Sequence, residues 1–148
     1  MARSRKDPRH RAREAALQIL YQWEVGGRDV AQAAETFFTL QWPDVDPPAE
    51  ELRAFASRLS RDTVARLAEI DELIASTAKR WRPERMALLD RLILRQAIAE
   101  LLVDTATPPA VVINEALELA RTFTTEESVK FINGMLDAIR KKMERHVL

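Results

Sequence analysis

Six basic side chains crowd into the stretch RSRKDPRHRAR at residues 3–13: Arg3, Arg5, Lys6, Arg9, Arg11 and Arg13. Only Asp7 opposes them, so these residues carry a net charge of about +5. The chain as a whole is neutral, which leaves about −5 on the remainder. A guanidinium presents a planar fork of donors that grips a phosphate through two hydrogen bonds and stacks flat on a base. A basic arm on an acidic body therefore points to an anionic polymer, nucleic acid before membrane. Arg9 and Arg13 stand i, i+4, and Tyr21 follows on the same predicted helix as a further stacking group. Arginine-rich segments that order on contact are a common mode of RNA recognition. Two plainer readings stay open at this point: a solubility tail for the arm, and an ordinary boundary aromatic for Tyr21.

Catalytic chemistry finds few candidates. The two histidines, His10 and His146, lie near opposite ends of the chain, and neither completes a Glu-x-x-His motif. Cysteine is absent, which excludes disulfides and thiolate metal sites and fits a reducing cytoplasm. There is no glycine-rich phosphate loop and no nucleophile elbow. Glu115 and Glu118 form a carboxylate pair at i, i+3, whose simpler reading is a solvated helix face or an ion pair with Arg121. These residue types describe a binding protein, not an enzyme, with no cofactor and no metal.

The elements that must carry the arm are helices. The 148 residues suffice for one domain, 47% of them are hydrophobic, and only 3 are glycine. Asp7 is a candidate N-cap for a helix with Pro8 in its first turn. Ala12, Ala15, Ala16, Ile19, Leu20 and Trp23 then recur at helical spacing until Gly26-Gly27. Asp29 caps a second helix predicted through Leu40, burying Val30, Ala33, Phe37 and Leu40. WPDVDPP is a loop, since its three prolines cannot propagate a helix. One long helix is expected from Asp46 or Pro47, marked by Leu52, Phe55, Leu59, Leu67, Ile70 and Ile74, with a kink near Ser60–Thr63. KRWRPERM is the next break. LLDRLILRQAIAELLVD is apolar on more than one face and belongs at the centre of its bundle. After TATPP, Pro109 opens another helix, and Thr125 with Ser128 and the two glutamates caps the last.

The expectation is an all-α fold of about seven helices in two sub-bundles, residues 1–80 with the basic arm and 81–148. Asn133-Gly134 interrupts the last helix pattern, and a glycine there costs about 1 kcal/mol against alanine. The pair reads as a buried polar anchor beside a close helix approach. No apolar run reaches membrane-spanning length, the longest being broken by Arg95 and Gln96, and no apolar core follows the basic start. A cytoplasmic location with no membrane partner is expected.

Four blocks in order, RHRAREAALQILYQW at 9–23, LDRLILRQAIAEL at 89–101, PPAVVINEALELARTF at 108–123 and EESVKFINGMLD at 126–137, resemble the NusB family of bacterial transcription antitermination factors. The resemblance spans nearly the whole chain. INEA and the pairing of Lys130-Phe131 with Asn133-Gly134 are its most specific parts. It implies an all-helical fold and a non-enzymatic role. The implied partners are NusE, a small-subunit ribosomal protein, boxA-type RNA, and the antitermination complex on RNA polymerase at ribosomal RNA operons. Carried over by position, the RNA side comprises Arg9, Arg11, Arg13, Tyr21, Glu127 and Lys130, with Arg3, Arg5 and Lys6 beyond the family's usual start. The NusE side comprises Asp90, Arg95 and Glu100 as exposed polar positions of a central helix. The sequence departs from the family pattern at Ala99, where a tyrosine is usual, at Thr124 and at Val129. Two rival readings are the RNA-binding domain of a ribosomal RNA cytosine methyltransferase, whose cofactor-binding domain has no counterpart in this sequence, and a helical scaffold without RNA function.

Overall fold

The structure is a computed structural model that describes residues 8–78 and 82–147, with side chains as far as Glu144. Among the described residues there are seven α-helices and no strand. Asp7 as a cap, and the break expected near residue 80, lie outside the described residues. No described helix is long and apolar enough to cross a membrane. The chain divides into two compact units, Met1–Val64 and Ala65–Leu148.

In the first unit, α1 (Pro8–Gly26) buries Ala12, Ala15, Ala16, Leu17, Ile19 and Leu20. Asp29 caps α2 (Val30–Thr36) by accepting from the Ala31 and Gln32 amides at 3.1 and 3.4 Å. The second helix does not run on in α form to Leu40. Phe37–Gln41 make a π-helical turn. Its wider turn, with i→i+5 bonding and more residues per turn, breaks the phase of the α-helical stripe, so Phe37 and Phe38 are both buried while Leu40 is 80% exposed. After the proline loop, α3 (Glu50–Ala65) starts at Glu50, later than the expected Asp46 or Pro47. Proline disfavours helical backbone in the residue before it, which delays the start past Pro47-Pro48.

The expected kinked helix is two helices. The helix runs on through Ser60 and Thr63, whose hydroxyls donate to the carbonyls of Ala56 and Leu59 at 2.9 and 2.7 Å. The break falls at Arg66, whose backbone leaves the helical region (φ −107°, ψ 22°) before α4 (Leu67–Thr77) begins.

The second unit is built around α5 (Leu88–Val103), which packs against α4, α6 (Pro109–Phe123) and α7 (Glu126–Val147). Every residue from Leu92 to Glu100 is buried. Leu92, Ile93, Leu94 and Ile98 meet a core that includes Ile70, Ile74, Leu119, Ile132 and Leu136. Fully burying each such side chain contributes about 1.5–3 kcal/mol. The Asp104 carboxylate accepts from the Ala106 and Thr107 amides and turns the chain into the Pro108-Pro109 start of α6. Thr125 caps α7, its hydroxyl accepting from the Ser128 amide at 3.1 Å.

Candidate nucleic-acid interface

The basic segment enters the described structure as the first turns of α1, where the arginines have aromatic supports. Arg9 is exposed, with its guanidinium carbon 4.5 Å from the centre of the Phe55 ring. Arg11 lies 4.8 Å from the Trp42 ring centre and pairs with Asp44. Arg13 lies 5.4 Å from the same Phe55 ring as Arg9 but is only 4% exposed. A cation within about 6 Å of a ring centre is held by the ring's quadrupole, which orders a side chain that costs entropy to fix. The α1 guanidiniums are thus held at two places, over α3 through Phe55 and, paired with Asp44, over the proline loop through Trp42.

Arg13 does not face solvent as the sequence suggested. Position 13 is on the buried side of α1 with Ala12 and Ala16, so its stem packs and its head is spent on the ring. Tyr21 is 44% exposed on the same helix. His10 faces Glu14 one turn on, 3.3 Å from its carboxylate. Arg3, Arg5 and Lys6 lie outside the described residues.

Trp42 is delivered by the π turn. Its ring centre sits 6.1 Å from that of Phe37 and 5.8 Å from that of Phe38, and its indole N–H donates to the Asp46 carbonyl at 2.9 Å. Neither Trp42 nor Phe55 was singled out from sequence as a functional residue. Each is more than 30 positions from the arginine it supports, and no local pattern signals such a pair.

In the second unit Glu127 and Lys130 are exposed on the first turns of α7. Acidic side chains there suit the positive end of the helix dipole. The three expected partner-binding residues are not exposed: Asp90 is 9%, Arg95 7% and Glu100 4% accessible. Asp90 accepts a hydrogen bond from the Ser128 hydroxyl at 2.9 Å, joining the starts of α5 and α7. Arg95 grips Asp71 of α4 through two bonds of 2.9 and 2.8 Å. The reason is positional. A helix covered by three others has no outer face, so its charged residues are paired inside.

Asn133 and Gly134 depart from expectation in the other sense. Both are exposed, and a Cβ on Gly134 would meet nothing within 4 Å, so among the described residues there is neither a buried anchor nor a close crossing there. Further along α7 the half-buried Asp137 and Arg140 and the exposed Glu144 line a shallow groove of about 470 Å³ with Asn114 and Pro109 of α6. Hydrogen bonds from Arg140 and then Lys141 hold the Asp137 carboxyl below its usual value, and Asp137 and Glu144 raise Arg140 in turn.

Residues 10–141 match the sequence model of the NusB family. The chain is 46% identical to the transcription antitermination protein NusB of Solibacter usitatus over 91% of this chain and 90% of that one. It is 42% identical to that of Symbiobacterium thermophilum over 92% and 91%. Among solved structures, T. maritima NusB superposes with a TM-score of 0.82 at 34% identity, covering 97% of this chain and 99% of that one. A chain from a crystal structure of antitermination factors NusB and NusE in complex with dsRNA superposes with a TM-score of 0.80 at 26% identity, covering 91% and 97%.

Proposed function

This chain belongs to the NusB family, and from that premise we propose that it is a transcription antitermination factor that binds boxA-type RNA and pairs with NusE during ribosomal RNA transcription. It acts by binding, not by catalysis. The observation that carries the reading is the arginine-rich start of α1, where Arg9 is exposed and both Arg9 and Arg11 are held over aromatic rings. An ordered guanidinium loses less entropy on meeting a phosphate than a free one. Arg9, Arg11 and Tyr21 contact RNA from α1, Glu127 and Lys130 from the start of α7, and Arg3, Arg5 and Lys6 extend the basic segment. Arg13 positions the surface through Phe55. Asp90, Arg95 and Glu100 bear on NusE pairing only from within, by holding the helices whose outer residues meet the partner. The setting is the cytoplasm, on the RNA polymerase antitermination complex.

The test is a gel shift of the full chain with a boxA-like RNA, alone and with NusE. Modest binding alone, tightened by NusE, is expected. No binding in either condition overturns the reading and favours a helical scaffold.

A further inference from the structure

We propose that Arg58 and Arg61 of α3 extend the phosphate-binding face of α1, so that the first unit grips the RNA backbone with two helices. The inference rests on the RNA-binding reading above and assigns it residues outside the basic arm.

Three guanidiniums converge on one ring. Phe55 lies 4.5 Å from Arg9, 5.4 Å from Arg13 and 6.0 Å from Arg58, measured from ring centre to guanidinium carbon. Two of these come from α1 and one from α3, so Phe55 brings the α3 face up to the basic start of α1. Phe55 itself is 9% exposed, whereas Arg58 and Arg61 are exposed.

Among the described residues no carboxylate is paired with Arg58 or Arg61, although Asp62 stands four residues after Arg58. Of the other exposed arginines, Arg66 and Arg121 hold carboxylates one turn away, whereas Arg53 of α3 rests over the Phe38 ring without one among the described residues. Like charges gathered over one apolar ring raise a local positive potential that a polyanion offsets. Arg58 and Arg61 are i, i+3 and so are neighbours on the helix surface, about 5–6 Å apart at Cβ. Two forks at that spacing can take neighbouring phosphates of one strand. Arg61 also lines a groove of about 170 Å³ with Arg53 and Ser57, facing Ala31 and Glu35 of α2.

Backbone contacts position a nucleic acid without reading its sequence. The α3 face should therefore strengthen binding to any strand that reaches it, while selectivity for boxA comes from elsewhere. The experiment is a titration of the full chain with a flanked boxA-like single strand and a scrambled strand of equal length, at several salt concentrations. The proteins are wild type, Arg58→Gln/Arg61→Gln, and Arg61→Gln alone. Each lost phosphate contact should flatten the log–log salt slope by about 0.7, so by about 1.4 in the double variant. The affinity loss should be the same factor for both RNAs. Among the described residues Arg61 sits over no ring, so the single variant still tests the proposal, with a slope change of about 0.7, should the double variant melt early. Wild-type slope and affinity in both variants, with wild type binding RNA, overturn the proposal alone. Loss confined to the boxA-like strand also overturns it, since that marks base readout. If wild type binds neither RNA, the RNA reading fails and this inference falls with it.

Discussion

Arg9 and Arg13 carry the same side chain, one turn apart, over the same ring, yet they differ in what they can do. Arg9 is exposed and Arg13 is 4% exposed. Arg13→Ala should therefore lower stability by about 1–2 kcal/mol through lost packing of its stem and lost attraction to Phe55. Arg9→Ala should change stability by less than about 0.5 kcal/mol, as exposed substitutions usually do, and weaken RNA binding. Thermal melts and RNA titrations of the two single variants separate these roles. An unchanged melt for Arg13→Ala would show that the buried guanidinium contributes nothing to the fold. The same contrast governs the charged residues of α5. Asp90 and Arg95 look like surface groups by type, but Ser128 and Asp71 satisfy them inside the second unit.

At the scale of elements, each departure from periodicity has a local cause. The π turn at Phe37–Gln41 releases Leu40 to solvent and turns Trp42 toward Arg11. In α7 the glycine has no packing role that the described residues reveal. Gly134 is exposed within the helix, with open space where a Cβ would stand. Gly134→Ala should therefore raise stability by about 0.5–1 kcal/mol, because alanine loses less backbone entropy on entering a helix. A thermal melt checks this, and a lower melting temperature would reveal a close approach that the open space denies. The capped start of α7 was readable from Thr125 and Ser128, because an N-cap is a contact within three residues.

The whole molecule is neutral by formal charge, with its basic arm set against an acidic remainder. That distribution predicts how salt acts on the assembly. Under the proposed pairing, NusE, as a basic ribosomal protein, should add phosphate contacts of its own. Each added contact to a single strand steepens the fall of log affinity with log salt by about 0.7. The protein with NusE should then show a steeper salt slope than the protein alone. Titrations at several salt concentrations measure both slopes, and equal slopes would mean that NusE tightens binding without touching the RNA backbone. Asp90→Lys is unsuited to probing that partnership. It places a cation where Ser128 donates to a carboxylate, and leaving buried hydrogen-bonding groups without their partner costs about 1–3 kcal/mol, more when a charge is buried.

By itself the sequence determined the helical class, the central place of α5, most caps and turns, the basic start of α1 and the family. Those properties rest on periodicity, on cap and proline chemistry within a few residues, and on the order of four motif blocks. Burial of individual polar residues was decided only in the tertiary structure. Asp90, Arg95 and Glu100 are enclosed because three helices cover α5, and nothing in their own neighbourhood of sequence records how many helices will do so. The supports of the arginines were decided there too. Phe55 and Trp42 stand more than 30 residues from Arg9 and Arg11, and only packing brings them beneath the guanidiniums. Asn133-Gly134 was misread for the same reason, since a helix glycine looks alike in sequence whether another helix or open solvent lies against it.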